Sequence, residues 1–115
     1  MRLLPLDEDI LTLLRGRELY GMAIARAVQQ VAPHEAFLKA STLYPVLRRL
    51  VGAGWLREVI EVRRPGRQRH WRYYTTTLRG EKVLAETHQR RQALARYTEG
   101  GDAREVAMRR LKAML

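Results

Sequence analysis

Apolar residues recur along the chain with a helical period, then with a strand period, then with a helical period again. In "PLDEDILTLLRG" Ile10, Leu13 and Leu14 stand at i, i+3 and i+4, which predicts a first helix. Asp7, Glu8 and Asp9 fall in its first turn, where the helix dipole favours acids, and Gly16 is placed to end it. A second helix is predicted from Tyr20 to Val31, buried along Ile24, Ala27, Val28 and Val31 and stopped by Pro33. A third covers Ala40–Val51, with Leu43, Leu47 and Leu50 inward and "GAG" (52–54) at its end. "WLREVIEV" (55–62) and "HWRYYT" (70–75) read as two strands around a Pro-Gly turn, a hairpin. Trp71 and Tyr73 alternate along the return strand and are expected to pack against the helices. A long helix follows from about Thr77 to Tyr97. After the break "EGGD" comes a short amphipathic tail helix, with Asp102 as a candidate N-cap and Ala103, Val106, Ala107, Leu111 and Met114 on one side.

The order helix, helix, helix, hairpin, long helix predicts a mainly α fold with a small β-hairpin: a winged helix-turn-helix plus C-terminal dimerisation helices. The expected division is a DNA-binding domain over 1–76 and a helical dimerisation region over 77–115.

On the third helix, Leu47 and Leu50 lie within about 40° of Leu43 when each residue is advanced by 100°. Ser41, Thr42, Pro45, Arg48 and Arg49 then face the other way, and Tyr44 lies on the border. Small residues near the N-terminus, hydroxyls and arginines suit a helix that enters a major groove end-on. With Ser41 as N-cap, Pro45 falls at the fourth helical position, where its missing N–H costs little.

Charge strengthens this reading. The chain of 115 residues carries a net charge of +10, with 19 Arg against 3 Lys. Such a field favours polyanions, and the guanidinium fork suits phosphate and guanine. The stretch "RRPGRQRHWRYY" (63–74) holds five arginines, one histidine and three aromatics with no acid. At a hairpin tip beside a groove-reading helix it would contact phosphates or the minor groove. There is no cysteine. His34, His70 and His88 lack metal-ligand spacing, and Glu58 and Glu61 fall on opposite faces of a strand. With no nucleophile–base arrangement and no phosphate-binding glycine loop, the expectation is no enzyme, no metal and no cofactor. No apolar run approaches a membrane span, so a cytoplasmic protein is expected.

"LYGMAIARAV" (19–28), "STLYPVLRRL" (41–50) followed by "GAGWL", and "YYTTTLRG" (73–80) together resemble the PadR-type winged-helix transcriptional regulators over about residues 6–95. The Thr-Leu-Tyr-Pro run is the most specific part. The wing looks about two residues longer than usual in the family, and Thr76 stands where a leucine is usual. The resemblance implies a cytoplasmic, dimeric DNA-binding repressor of the short type, which dimerises through C-terminal helices. It places DNA contacts on Ser41, Thr42, Tyr44, Arg48 and the wing arginines. Short members often bind planar aromatic effectors between the dimer helices, but both tryptophans here, Trp55 and Trp71, lie in the wing strands.

The candidate DNA-contacting set is therefore Lys39, Ser41, Thr42, Tyr44, Pro45, Arg48, Arg49, Arg63, Arg64, Arg67, Arg69 and His70. Leu84, Leu94, Val106, Leu111 and Met114 are the candidate dimer contacts. A homodimer would set two recognition helices about 34 Å apart on an inverted-repeat operator. The competing reading is a basic winged-helix module that binds protein or RNA without operator specificity.

Overall fold

A computed structural model describes residues 3–31, 39–62, 70–98 and 103–115; the side chains of 62, 70 and 103–107 are outside that description. The elements are α1 (Pro5–Leu13), β1 (Leu19–Tyr20), α2 (Gly21–Val31), α3 (Ala40–Gly52), β2 (Leu56–Val62), β3 (His70–Thr76), α4 (Leu78–Arg96) and α5 (Ala103–Met114). The sheet is antiparallel in the order β1-β3-β2. Its long pair runs from Leu56 opposite Thr76 to Val62 opposite His70.

The core is formed by Ile10, Leu11 and Leu14, by Ile24, Ala25 and Val28, and by Leu43, Leu47 and Leu50, closed by Leu56, Tyr74 and Leu84. α3 buries the stripe that its spacing predicts, whereas in α1 and α2 the core holds Leu11 and Ala25, and the expected Leu13 and Ala27 are only half-buried. Val31, the last residue of α2, is 84% exposed, because the buried stripe ends at Val28. Positive φ angles at Gly16 (68°) and Gly54 (80°) turn the chain after α1 and α3, a conformation open to glycine without strain.

Three sequence expectations change here. Tyr20 does not begin the second helix. It forms β1, pairing with Tyr73, so the hairpin becomes a three-stranded sheet. Two residues give almost no periodic signal, and only the edge of β3 supplies the partner. Trp71 and Tyr73 are not part of the core. Tyr74 and Thr76 take the core-facing positions, and Trp71 and Tyr73 meet the Tyr20 ring edge-on at 5.6 and 6.5 Å. Alternation alone leaves the choice of face undecided; the register resolves it. Finally, Ser41 does not cap α3. Lys39 does, through its carbonyl, so Pro45 sits inside the helix. The hydrogen bond lost is the one to the Ser41 carbonyl, and Ser41 is exposed, so water can serve that carbonyl instead.

The β3–α4 corner is built from three threonines. The Thr76 hydroxyl donates to the Leu11 carbonyl at 2.8 Å, and the Thr75 hydroxyl donates to that of Leu14 at 3.3 Å. Both acceptors lie in the last turn of α1 and its C-cap, where carbonyls have no partner within the helix. Thr76 is thus satisfied in a buried place where a leucine would offer only bulk. Thr77 caps α4: its hydroxyl accepts from the Gly80 N–H at 3.1 Å and donates to the Gly54 carbonyl at 2.6 Å.

Leu84 is 2% exposed within the chain's own core. It is therefore not available for a dimer contact, and the core of the N-terminal unit draws on α4 past the expected boundary at residue 76. The first half of α4 packs on α1, which buries Leu84 before any second chain arrives. From His88 to Thr98, by contrast, every residue is exposed, and so is every residue from Met108 to Leu115. The radius of gyration is 20.0 Å. A compact chain of this length would have about 13 Å. None of the helices of the described residues is long and apolar enough to cross a membrane.

Candidate nucleic-acid interface

The buried leucines of α3 leave Lys39, Ser41, Thr42, Tyr44, Pro45 and Arg48 on one exposed surface. No side chain caps the N-terminus of this helix; the Thr42 and Leu43 N–H groups donate to the Lys39 carbonyl at 3.0 and 2.9 Å. The Tyr44 ring lies against α2 and is 36% exposed. It fits because residue 21 is glycine: a Cβ there would stand 2.6 Å from the Tyr44 hydroxyl and 2.9 Å from the ring. Gly21 thus lets α2 and α3 approach closely, a role the sequence did not single out.

Arg49, expected beside Arg48 on the DNA face, turns inward. Its guanidinium grips Asp7 in a bidentate pair at 3.1 and 2.5 Å. Asp7 is fully buried and also accepts from the Leu4 N–H at 2.9 Å. The hydrogen bond to Asp7 raises the Arg49 pKa above its ordinary value; partial burial opposes this and the Asp7 charge adds to it. Arg49 therefore holds α3 to α1, and its charge is committed within the chain. No local pattern announces a pair 42 residues apart; Asp7 reads from sequence only as a favourable first-turn acid.

In the wing, Arg72 lies 3.4 Å from Glu58, and Arg57 lies 3.8 Å from Glu18. Arg63, Arg64, Arg67 and Arg69 are outside the described residues. His70 is placed in β3 by its backbone only. Tyr74 joins the wing to α3. Burial raises its pKa, as does the Glu58 charge, while Arg72 and Arg48 partly offset the rise. Arg26 donates to the Tyr20 hydroxyl at 3.1 Å and tethers α2 to the outer aromatic group.

On the opposite side, α1 and α4 meet at Glu8. Arg91 donates to it in a two-pronged pair, once at 2.6 Å, and the His88 Nε2 lies 3.4 Å away. An open groove of about 520 Å³ adjoins this contact, lined by residues that include Thr12, Leu13, Val28, Val31 and His88. No tryptophan lines it. Among the described residues no group of His, Asp and Glu is arranged to hold a metal ion. Of the expected dimer contacts, Leu94, Leu111 and Met114 are 68, 59 and 81% exposed, and the side chain of Val106 is outside the described residues.

The arrangement is a three-helix core with α3 presented outward, a β-wing beside it and a helical arm behind. Residues 10–86 match the PadR-like family of transcriptional regulators. The chain belongs to this family. It is a winged-helix, DNA-binding transcriptional regulator, and such proteins are not enzymes. A PadR family transcriptional regulator from Eggerthella lenta is 32% identical, with a TM-score of 0.62 over 78% of this chain and 74% of that one. The protein smu.1704 from Streptococcus mutans is 28% identical, with a TM-score of 0.60 over 78% of both chains. The hsRosR-S1 complex structure is similar at 23% identity and a TM-score of 0.62, over 96% of this chain and 90% of that one. At that identity the likeness is one of fold. No curated protein matches the chain.

Proposed function

We propose that this PadR-like regulator acts in the cytoplasm as a homodimeric repressor that reads an inverted-repeat operator. The observation that carries the reading is the exposed face of α3. Ser41 and Thr42 offer hydroxyls at its N-terminal end, and Arg48 offers an exposed fork one to two turns on, with no ion-pair partner among the described residues. Tyr44 and Pro45 shape the same face. Lys39 and the wing arginines Arg63, Arg64, Arg67 and Arg69, with His70, supply phosphate or minor-groove contacts in this reading. The net charge of +10 supports this.

The exposed apolar residues of the arm support a second copy of the chain as partner. Burying Leu94, Tyr97, Leu111 and Met114 against a twofold mate would contribute roughly 1.5 kcal/mol or more for each side chain. For a small-molecule effector, the open groove beside Glu8 offers about 520 Å³.

The test is fluorescence anisotropy with duplex DNA from upstream of the chain's own coding sequence, against a scrambled duplex, at two salt concentrations. The expected result is a preference of at least about a hundredfold for the genuine sequence. Arg48→Ala should reduce that preference by about tenfold or more and relax one base position. Equal binding to every duplex, including those enriched from a random library, would replace this reading with that of a polyanion- or protein-binding module.

A further inference from the structure

Two neighbouring carboxylates on one turn of α1 hold two different helices. Asp7 is fully buried and binds Arg49 in the last turn of α3. Glu8, with a side chain only 12% exposed, binds Arg91 and lies beside His88, both on the second half of α4. The other end of α1 is fastened to β3 by Thr75 and Thr76. The reading helix and the arm are thus joined through a single turn of a third helix.

We infer that Asp7–Arg49 and Glu8–Arg91/His88 are positioning pairs that set the angle of α3 against the α4 arm, and through it the operator spacing that the dimer accepts. The inference rests on the dimeric operator reading above. From Arg49 to Thr42 is seven residues, a lever of about 10 Å. A tilt of about 10° at the Arg49 end moves the reading end by about 2 Å. Two copies tilting together change the separation by about one base step, 3.4 Å. Ordinary exposed ion pairs are too weak to hold an angle. These two are of the stronger kind, since Arg49 and Arg91 each grip a carboxylate with two prongs and both carboxylates are sheltered.

The test variant is the double substitution His88→Gln, Arg91→Gln. Both side chains are more than half exposed, and glutamine keeps α4 helical. The chain has no cysteine, so spin labels at Ser41→Cys and Gln92→Cys are unambiguous. Labelled chains, diluted into unlabelled ones, report the α3–α4 distance distribution. The expected distribution is narrow with the native joint and at least twice as wide in the double variant. In parallel, duplexes selected by the protein from a randomised library are altered by one base pair between half-sites. The protein with the native joint should lose at least tenfold in affinity, and the double variant less than threefold, with single half-site affinity unchanged in both. An unchanged distance distribution, or a widened one with native spacing preference, overturns the inference. A native protein with no sequence preference overturns the dimeric operator reading and the spacing role with it, while the distance measurement still decides whether the joint holds α3.

Discussion

Replacing Gly80 by alanine puts one methyl group where α4 touches the turn between α3 and β2. The new Cβ would lie 2.3 Å from the Trp55 carbonyl oxygen, 3.1 Å from its carbon and 2.7 Å from the Thr76 methyl. Ordinary contacts between carbon atoms are about 3.5–4.0 Å, so the start of α4 must retreat by roughly 1 Å. Two of the three close atoms are backbone, and no rotamer change relieves them. Retreat stretches three hydrogen bonds: Thr77 Oγ1 to Gly54 at 2.6 Å, Thr77 N–H to Trp55 at 3.0 Å, and Gly80 N–H to Thr77 Oγ1 at 3.1 Å. Overpacking of this kind costs about 1–3 kcal/mol, and each weakened hydrogen bond up to about 1 kcal/mol. Alanine returns about 1 kcal/mol through helix propensity. With about 2 kcal/mol lost over the three hydrogen bonds together, the net loss is about 2–4 kcal/mol, a fall in Tm of about 10 °C or more. Gly52 supplies the control, because it is exposed at the end of α3 and a Cβ there meets nothing within 4 Å. Gly52→Ala should hold or raise Tm. Thermal melts followed by circular dichroism compare the two. Gly80→Ala melting within about 2 °C of the parent would refute the steric argument.

Two further outcomes follow from the same core. Thr76→Val keeps shape and burial but removes the donor to the Leu11 carbonyl, so urea unfolding should show a loss of about 1–2 kcal/mol with an unchanged m value. Tyr74 has a folded-state pKa above its unfolded value near 10, so the unfolded chain releases its proton first as pH rises. Stability from this group is intact below about pH 10 and declines as pH climbs toward the raised value. Unfolding between pH 8 and pH 11 should therefore show an alkaline loss that Tyr74→Phe reduces; equal slopes in both proteins would contradict the burial of the phenol.

The residues themselves determined the three helices, the two long strands and the outward face of α3, because each is a matter of period. A leucine every three or four positions has one inward side, and Ser41, Thr42 and Arg48 lie opposite it wherever the helix docks. The family was readable for a related reason. Thr-Leu-Tyr-Pro and the Thr77-to-Gly80 corner are short local motifs, and the corner's geometry depends on contacts within a few residues and one neighbouring turn. What the tertiary structure alone decided involves partners distant in the chain. β1 exists because β3 has a free edge beside it. Tyr74 rather than Trp71 faces the core because it shares a face of the sheet with Thr76 and with Leu56, the buried partner of Thr76. Leu84 belongs to the domain rather than to a dimer contact because α1 reaches it first. Arg49 differs from Arg48 by a single position of rotation, about 100°, and that step brings it to Asp7. Two adjacent arginines of identical chemistry thus take separate tasks, one within the fold and one on its surface. Periodicity marks which side of a helix faces in, but a charge on the other side is assigned only when its counter-charge arrives from elsewhere in the chain.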